Sequence, residues 1–270
     1  MNQEERLTYL IEKLKEEDSN FFNIMDIDNC DFEYKKRIFR SLVNLRMPRD
    51  TSYEFLEIQD EFLQEEINKL GIVDTNKLPF IKNEFPCTNI KNDDKISLFK
   101  GDITRLNCDA IVNAANSKML GCFVPCHGCI DNAIHTFAGV QLRQECDKIM
   151  KAQGHDEATG QAKITNAYNL PCKYVIHTVG PIVRDFITDK LKNDLKSCYE
   201  NCLKIAEENK LKSIAFCCIS TGEFHFDNEI AADIAVKTID DFLDGAKYLE
   251  RVIINVFKEK DYIIYRNLFQ

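Results

Sequence analysis

The stretch ISLFKGDITRLNCDAIVNAAN, residues 96–116, decides the fold of this chain. It contains two short apolar runs, ISLF at 96–99 and AIVNAA at 110–115, and polar or glycine residues follow each run at once. Short apolar runs bounded by turn residues are typical of strands buried inside a sheet. The stretch therefore predicts two strands, with a turn over GDIT at 101–104.

The same alternation continues after this stretch. Three further apolar runs are YVIHTVG at 174–180, SIAFCCIS at 213–220 and RVIINVF at 251–257. Stretches of helical character at 131–152, 191–209 and 228–244 lie between the runs. Apolar strands that alternate with helices predict an α/β protein whose sheet is buried on both faces, which is a three-layer α/β/α sandwich.

Residues 1–90 have a different pattern, in which apolar residues recur at helical spacing. These positions are Leu7, Leu10, Ile11 and Leu14, followed by Tyr34, Ile38, Leu42 and Leu45. A further helix is expected over Tyr53–Leu70, with Gly71 as its C-cap. We predict an N-terminal helical extension over 1–90, a polar connection over 87–95 and the sandwich over 91–270.

Charge and composition restrict the classes of partner. The net charge of −9 argues against a nucleic-acid partner, because such affinity comes mostly from dense Lys/Arg surfaces. A small anionic ligand remains possible, since backbone N–H groups can bind phosphate. The N-terminal stretch is charged and helical in character, and no long apolar run occurs, so no membrane partner and a cytoplasmic location are expected.

Polar and glycine residues gather where the predicted strands end. Asp102 lies in the turn after the first strand, Asn116 ends the second, Ser220 ends SIAFCCIS and Phe257 ends RVIINVF. Ligands of open α/β sheets bind outside the carboxyl ends of the strands. The sequence therefore predicts a ligand site at this edge.

Five motifs identify a family. GDIT, AIVNAAN, IDNAIH at 130–135, YVIHTVGP at 174–181 and STGEF at 220–224 occur in the order found in macrodomains. Over about residues 96–270 the chain resembles hydrolase-type macrodomains, and most closely their zinc-containing microbial subgroup with an N-terminal helical extension. The resemblance implies a mixed central sheet, an ADP-ribose ligand on a protein substrate and a partnership with a sirtuin-like ADP-ribosyltransferase system.

The resemblance also implies which residues bind ADP-ribose. Asp102, with Ile103 and Thr104 in the same motif, matches the position that recognises the adenine amino group. Phe257 matches a ring packed on the adenine, although a core-filling role is equally open. The loop that wraps the diphosphate matches Ser220, Thr221, Gly222, Glu223 and Phe224, the last of which lies beside the distal ribose. His225 stands where many relatives have glycine, which leaves the path of this loop open.

Two residues are implied at the chemical centre. Asn116 matches the asparagine that hydrogen-bonds to the distal ribose, and an amide suits this task because it donates and accepts at once. Asp131 matches the aspartate that assists the attacking water. Because Asp131 begins a predicted helix, a role as its N-cap is the alternative.

The segment GCFVPCHGCIDN, residues 121–132, replaces the glycine run of ordinary macrodomains. It contains Cys122, Cys126, His127 and Cys129, and closely spaced thiolates and imidazoles are zinc ligands by type. The resemblance points to Cys122, His127 and Cys129 as the zinc ligands and leaves Cys126 open. Three protein ligands would leave the fourth position free for catalysis, four would close it, and a metal-free loop is the remaining alternative.

The function expected from these residues is hydrolysis that removes mono-ADP-ribose from modified proteins with the help of zinc. Two alternatives stay open. One is a reader that binds ADP-ribosylated proteins without cleaving them, and the other is a hydrolase of O-acetyl-ADP-ribose. Reader macrodomains often lack the aspartate that matches Asp131, so its presence favours an enzyme.

Overall fold

The computed structural model describes residues 1–17, 27, 30–86 and 88–270. Its helices are α1 (Gln3–Glu17), α2 (Phe32–Leu45), α3 (Tyr53–Leu70), α4 (Ile81–Glu84), α5 (Ile130–Ala138), α6 (Val140–Gln153), α7 (Asp189–Glu208), α8 (Asn228–Leu243) and α9 (Glu259–Phe269). Its strands are β1 (Val73–Asp74), β2 (Ile96–Lys100), β3 (Leu106–Asn107), β4 (Ala110–Ala115), β5 (Ala162–Asn166), β6 (Tyr174–Val179), β7 (Ser213–Phe216) and β8 (Arg251–Val256). Cys87, at the start of the predicted connection, lies outside the described residues.

The predicted α/β sandwich is confirmed. Six strands form one sheet in the order β2-β8-β7-β4-β6-β5, in which β5 runs antiparallel to β6 and the other pairs are parallel. The central strands are buried almost throughout, because helices flank the sheet. The sheet is therefore mixed, as the resemblance implied.

Three details differ from the sequence prediction. Strand β7 ends at Phe216 and not at Ser220, so the run SIAFCCIS is half strand and half loop. The predicted helix over 131–152 is two helices, because Gly139 between them has a φ of 92°, a left-handed conformation that a helix cannot contain. Strands β1, β3 and β5 and helices α4 and α9 are not among the predicted elements. The edge strand β5 is only half buried, so its apolar signal is weak.

The helical extension forms its own apolar cluster. Helices α1, α2 and α3 bury Leu10, Leu42 and Phe62 among other residues, and the Phe39 and Phe62 rings meet edge to face at 5.4 Å. Val140 at the start of α6 joins the same cluster, which fastens the extension to the sandwich. Within the described residues, no helix is both long and apolar enough to cross a membrane.

The segment between the extension and β2 packs with the sandwich. Strand β1 pairs in parallel with β3, and Ile81 lies in the large core beneath the sheet. The division at residue 90 stays a prediction. The residues that cluster apart from the sheet come mainly from α1 to α3, together with Ile27 and Val140.

Strand β4 is paired along different lengths with its two neighbours in the sheet. Strand β4 pairs with β6 along all six of its residues but with β7 only at Ala110 and Ile111. Beyond these two residues β4 continues along β6, whereas the chain after Phe216 leaves β7 as a loop. The chain segments after these two strands are the ones in which the sequence predicts catalytic and diphosphate-binding residues.

Candidate active site

The structure brings the predicted residues to one edge of the sheet. Asp102 follows β2, Asn116 follows β4, Ser220 follows β7 and Phe257 follows β8. These four strands are parallel neighbours, so their carboxyl ends lie on the same side. Helix α5, which contains Asp131, packs against β4. The segment that precedes α5 contains Cys122, His127 and Cys129 and so lies at the same edge.

Asp102 shapes the turn after β2. One of its carboxylate oxygens accepts hydrogen bonds from the Thr104 backbone N–H at 2.9 Å and from the Thr104 hydroxyl at 2.7 Å. Ile103 and Thr104 are buried beneath the turn, whereas Asp102 stays half exposed. Asp102 therefore stabilises this turn, and its half-exposed carboxylate leaves room for a ligand contact as well.

Phe257 is not a core residue. Its side chain is 76% exposed immediately after β8, although the six residues before it are almost wholly buried. An aromatic ring left in water at the carboxyl end of a buried strand is a surface on which a flat ligand can stack. Of the two roles open from sequence, the core-filling one is therefore wrong.

The loop after β7 is held mainly by its own backbone. Phe226 N donates to Ser220 O at 3.0 Å and His225 N donates to Gly222 O at 3.1 Å, while Val183 N donates to Phe224 O at 2.9 Å. His225 has a φ of 56°, so it adopts the left-handed conformation that glycine would adopt there. The loop path left open by the sequence is thus a tight turn.

Two features of this loop leave space for a ligand. A methyl group added at Gly222 would meet no atom within 4 Å, so the backbone is bare on that side. The Ser220 hydroxyl is buried and has no hydrogen-bond partner among the described residues. Gly180 makes room for it, because a Cβ there would lie 2.1 Å from Ser220 Oγ.

Asp131 is the buried carboxylate of the site. Its Oδ1 accepts a hydrogen bond from Asn113 Nδ2 at 2.8 Å, and its Oδ2 accepts one from Asn116 Nδ2 at 3.3 Å. Burial raises the pKa of Asp131 to about 6, although these two hydrogen bonds and the Arg143 charge act to lower it. Asp131 is not the N-cap of α5, because Cys129 caps that helix and its sulfur accepts from Asn132 N at 3.4 Å.

Asn113 was not singled out from the sequence, yet it orients Asp131. The same Asn113 amide nitrogen lies 3.1 Å from His177 Nδ1, and His177 Nε2 lies 2.9 Å from the Thr165 hydroxyl. Burial lowers the pKa of His177 to about 3, so the ring is neutral and satisfied. A polar residue among the apolar residues of AIVNAA was the signal that could have identified Asn113.

His135 lies one turn after Asp131 on α5. Its Nε2 is 3.6 Å from Asp131 Oδ1, but burial lowers the pKa of His135 well below its usual value, so the pair is not an ion pair. Gly121 packs on the His135 ring, where a Cβ would approach within 2.7 Å. His135, Cys146 and His177 lie close enough to hold a metal ion, but both nitrogens of His177 already have hydrogen-bonding neighbours.

The segment before α5 brings three metal-type ligands together. The sulfurs of Cys122 and Cys129 and a ring nitrogen of His127 all lie within 4.8 Å of one another, with Cys122 Sγ 3.6 Å from His127 Nδ1. Cys126 faces elsewhere: its sulfur lies 3.2 Å from Ser41 Oγ. Burial raises the pKa of the Cys129 thiol to about 12.

Glu223 links the two loops of the site. Its Oε1 lies 3.6 Å from His127 Nε2, on the side of the ring away from Cys122. The carboxylate is 67% exposed, so this contact is water-accessible. A histidine whose one nitrogen faces a metal-type ligand and whose other nitrogen faces a carboxylate has the arrangement common at metal centres.

A mixed sheet whose parallel strands end in loops with polar and glycine residues has the architecture of an α/β ligand-binding domain. The Macro domain family model matches residues 112–235. A protein-ADP-ribose hydrolase of Treponema medium is 51% identical over 268 residues, which cover 99% of each chain. The enzyme of the same name from Staphylococcus aureus (strain MRSA252) is 44% identical over 265 residues, covering 98% of this chain and 95% of the relative.

Solved macrodomain structures have the same fold as this chain. The Trypanosoma brucei macrodomain in complex with ADP-ribose superposes with a TM-score of 0.65 and 30% identity, covering 84% of this chain and 94% of its own. With the relatives above matching over nearly their whole length, this chain belongs to the macrodomain family.

Proposed function

We propose that this protein hydrolyses mono-ADP-ribose from modified proteins, with a zinc ion bound by Cys122, His127 and Cys129. The names of its full-length relatives support the hydrolase activity. The observation that carries the proposal is the position of Asp131. This buried carboxylate is held by two amides and lies two residues after the last of three metal-type ligands.

The substrate's ADP-ribose would lie along the carboxyl edge of the sheet. The exposed Phe257 ring offers a stacking surface for the adenine, next to the half-exposed Asp102. The bare backbone at Gly222 lets a diphosphate approach the N–H groups of residues 220–224, which suits an anion because such groups carry partial positive charge. Asn116 and Asp131 would then face the distal ribose.

The ligand set fits zinc. With Zn–S near 2.3 Å and Zn–N near 2.0–2.1 Å, a tetrahedral site places sulfur and nitrogen about 3.6 Å apart. The distance from Cys122 Sγ to His127 Nδ1 is 3.6 Å. Bound zinc would supply Lewis-acid polarisation of a substrate oxygen or a water of lowered pKa.

The reaction breaks the bond between the anomeric carbon of the distal ribose and the modified side chain. Water adds its oxygen to that carbon, and its proton ends on the released side chain. Positive charge develops on the ribose ring as the bond breaks. Asn116 fixes the sugar's orientation. Asp131 orients the water, takes up one of its protons and returns that proton to the released side chain, which regenerates the carboxylate.

The test is release of ADP-ribose from a mono-ADP-ribosylated protein, with the zinc content of the same preparation measured alongside. We expect release by a preparation that holds about one zinc per chain, and loss of release on removal of the metal. Release that survives complete removal of zinc would contradict the zinc role. Tight ADP-ribose binding without release from any acceptor would make the protein a reader, and release confined to O-acetyl-ADP-ribose would change the substrate.

A partnership with a sirtuin-like ADP-ribosyltransferase stays part of this proposal. Such an enzyme would attach the group that this protein removes. A protein modified by that transferase is therefore the first substrate to assay, and failure to release its ADP-ribose while other acceptors are cleaved would separate the two systems.

A further inference from the structure

Helix α2 of the N-terminal extension lies against the loop that contains the three metal-type ligands. The Arg40 guanidinium donates to the His127 carbonyl at 3.0 Å and to Asn132 Oδ1 at 2.7 Å and 3.0 Å. Asn44, one turn further along the same face, accepts from the Cys126 backbone N–H at 2.9 Å. The partners are more than 80 residues apart in sequence, so the extension and not the loop supplies these contacts.

The two α2 residues act through a network that includes α5. Asn132 on α5 is fully buried and connects Arg40 to the loop. Its Oδ1 accepts from Arg40, and its Nδ2 donates to the Val124 carbonyl at 2.9 Å. Asn44 is also fully buried and donates to the Thr136 hydroxyl at 2.9 Å. Each buried amide thus joins α2, α5 and the loop, and a buried amide is costly to leave unpaired.

The network sets the loop's shape at the point where it must turn. Cys126 has a φ of 52°, a strained conformation for a residue with a side chain, and Asn44 holds its N–H there. The Cys126 sulfur is directed to α2, where it lies 3.2 Å from Ser41 Oγ and 3.4 Å from the Arg37 carbonyl. The next residue, His127, places its Nδ1 3.6 Å from Cys122 Sγ.

We propose that Arg40 and Asn44 are positioning residues, which make α2 a wall of the active site that fixes the geometry of Cys122, His127 and Cys129. This inference rests on the proposed function, since it assigns to those three residues the zinc named there. The loop residues 121–132 contain no Lys or Arg of their own. Arg40 therefore also brings a positive charge beside a loop whose ligands bind metal as thiolates.

The experiment compares Arg40→Met and Asn44→Ala with the wild-type protein and with Arg6→Met. Arg6 is the matched control, because its ion pairs are with Glu61 and Glu65, which lie inside the same extension. Zinc affinity is measured by competition with a chromophoric chelator. Loop order is measured by amide hydrogen exchange over 121–132, with and without metal, and ligand geometry by the visible spectrum of the cobalt form.

We expect both α2 variants to lose zinc affinity by about 10- to 100-fold, the usual effect of removing a partner that orients metal ligands. Exchange over 121–132 should rise even without metal, and ADP-ribose affinity should stay within about twofold because the adenine and diphosphate contacts lie elsewhere. Arg6→Met should match the wild type. If Asn44→Ala does not fold, the half-exposed Arg40 still provides the test.

Wild-type zinc affinity and exchange in Arg40→Met would overturn the inference while leaving the proposed function intact. An equal loss in Arg6→Met would also overturn it, since the effect would then be general destabilisation. A wild-type protein that binds no zinc would overturn the zinc part of the proposed function and this inference together, and the zinc content of the wild type distinguishes that result.

Discussion

The two loops that face each other across the site are built in different ways. The loop over residues 220–226 closes on itself, with backbone bonds from His225 and Phe226 back to Gly222 and Ser220. The loop over residues 121–129 is shaped by side chains from elsewhere: Arg40 and Asn44 from α2 and Asn132 from α5 hold its backbone. A loop of the first kind depends on its own residues, whereas the second depends on packing of the extension.

The difference has a consequence for function. A diphosphate needs a fixed backbone with open N–H groups, and a short self-bonded turn supplies this with few residues. The three side chains proposed to bind metal are spaced five and two residues apart, and the backbone between them follows a non-repeating path. The polar groups of that path need partners, and several of these lie outside the loop. Helix α2 provides two of those partners, Arg40 and Asn44, so the shape of this loop depends on the extension.

The largest expected effect distinguishes the role of the loop over 121–129 in hydrolysis from the role of the loop over 220–226 in ligand binding. Cys129→Ser should lower hydrolysis by about a thousandfold, because the loss of metal assistance removes several kcal/mol of transition-state stabilisation. ADP-ribose affinity should change little, since the loop over 220–226 that is proposed to bind the diphosphate is untouched. Single-turnover release and calorimetric binding measure the two quantities. Cys126→Ser is the matched control and should retain activity, because its sulfur faces α2; equal loss in both variants would refute the three-ligand assignment.

A second substitution removes a side chain that holds the start of the loop over 121–129. Buried Arg143 on α6 donates to the Leu120 carbonyl before the loop and to the carbonyls of Val43, Asn44 and Arg46 at the end of α2. Arg143→Met should lower the free energy of unfolding by about 3 kcal/mol or more, because it leaves several buried acceptors without a donor. Urea denaturation measures this, and a loss no greater than that of Arg6→Met would contradict it.

A third substitution tests the diphosphate loop without disturbing its fold. Gly222→Ala places a methyl group where no described atom lies within 4 Å, so the free energy of unfolding should stay within about 0.5 kcal/mol of the wild type. ADP-ribose affinity should fall about tenfold or more, because the methyl group occupies the space that the ligand needs. Calorimetry with ADP-ribose checks the affinity. Unchanged binding would show that the ligand does not approach this backbone.

The smallest expected effect concerns the strain that the self-bonded loop carries. His225→Gly should raise the free energy of unfolding by about 0.5–1 kcal/mol, because glycine adopts a φ of 56° without the penalty that a side chain incurs. Hydrolysis should be unchanged. Thermal unfolding at fixed pH measures the gain, and a decrease in stability would mean that the exposed imidazole makes a stabilising contact.

Local sequence predicted much of the fold. The runs ISLF, AIVNAA, YVIHTVG and RVIINVF became strands within a residue or two, because strands buried on both faces must be apolar throughout. The same logic extended SIAFCCIS too far. Cys217 is buried like a strand residue although it has left the ladder, so apolar character alone could not show where pairing ends.

The sequence by itself determined the order of the five buried strands, the helical character of the segments between them, the motifs at the strand ends and the metal-binding residue types in 121–132. Tertiary structure alone decided that Cys126 faces α2, that Cys129 and not Asp131 caps α5, and that Asn113 holds the Asp131 carboxylate. The physical reason is distance along the chain. Strand patterns and turns follow from neighbouring residues, whereas the direction of a buried polar side chain depends on which partner the folded chain brings within hydrogen-bonding distance.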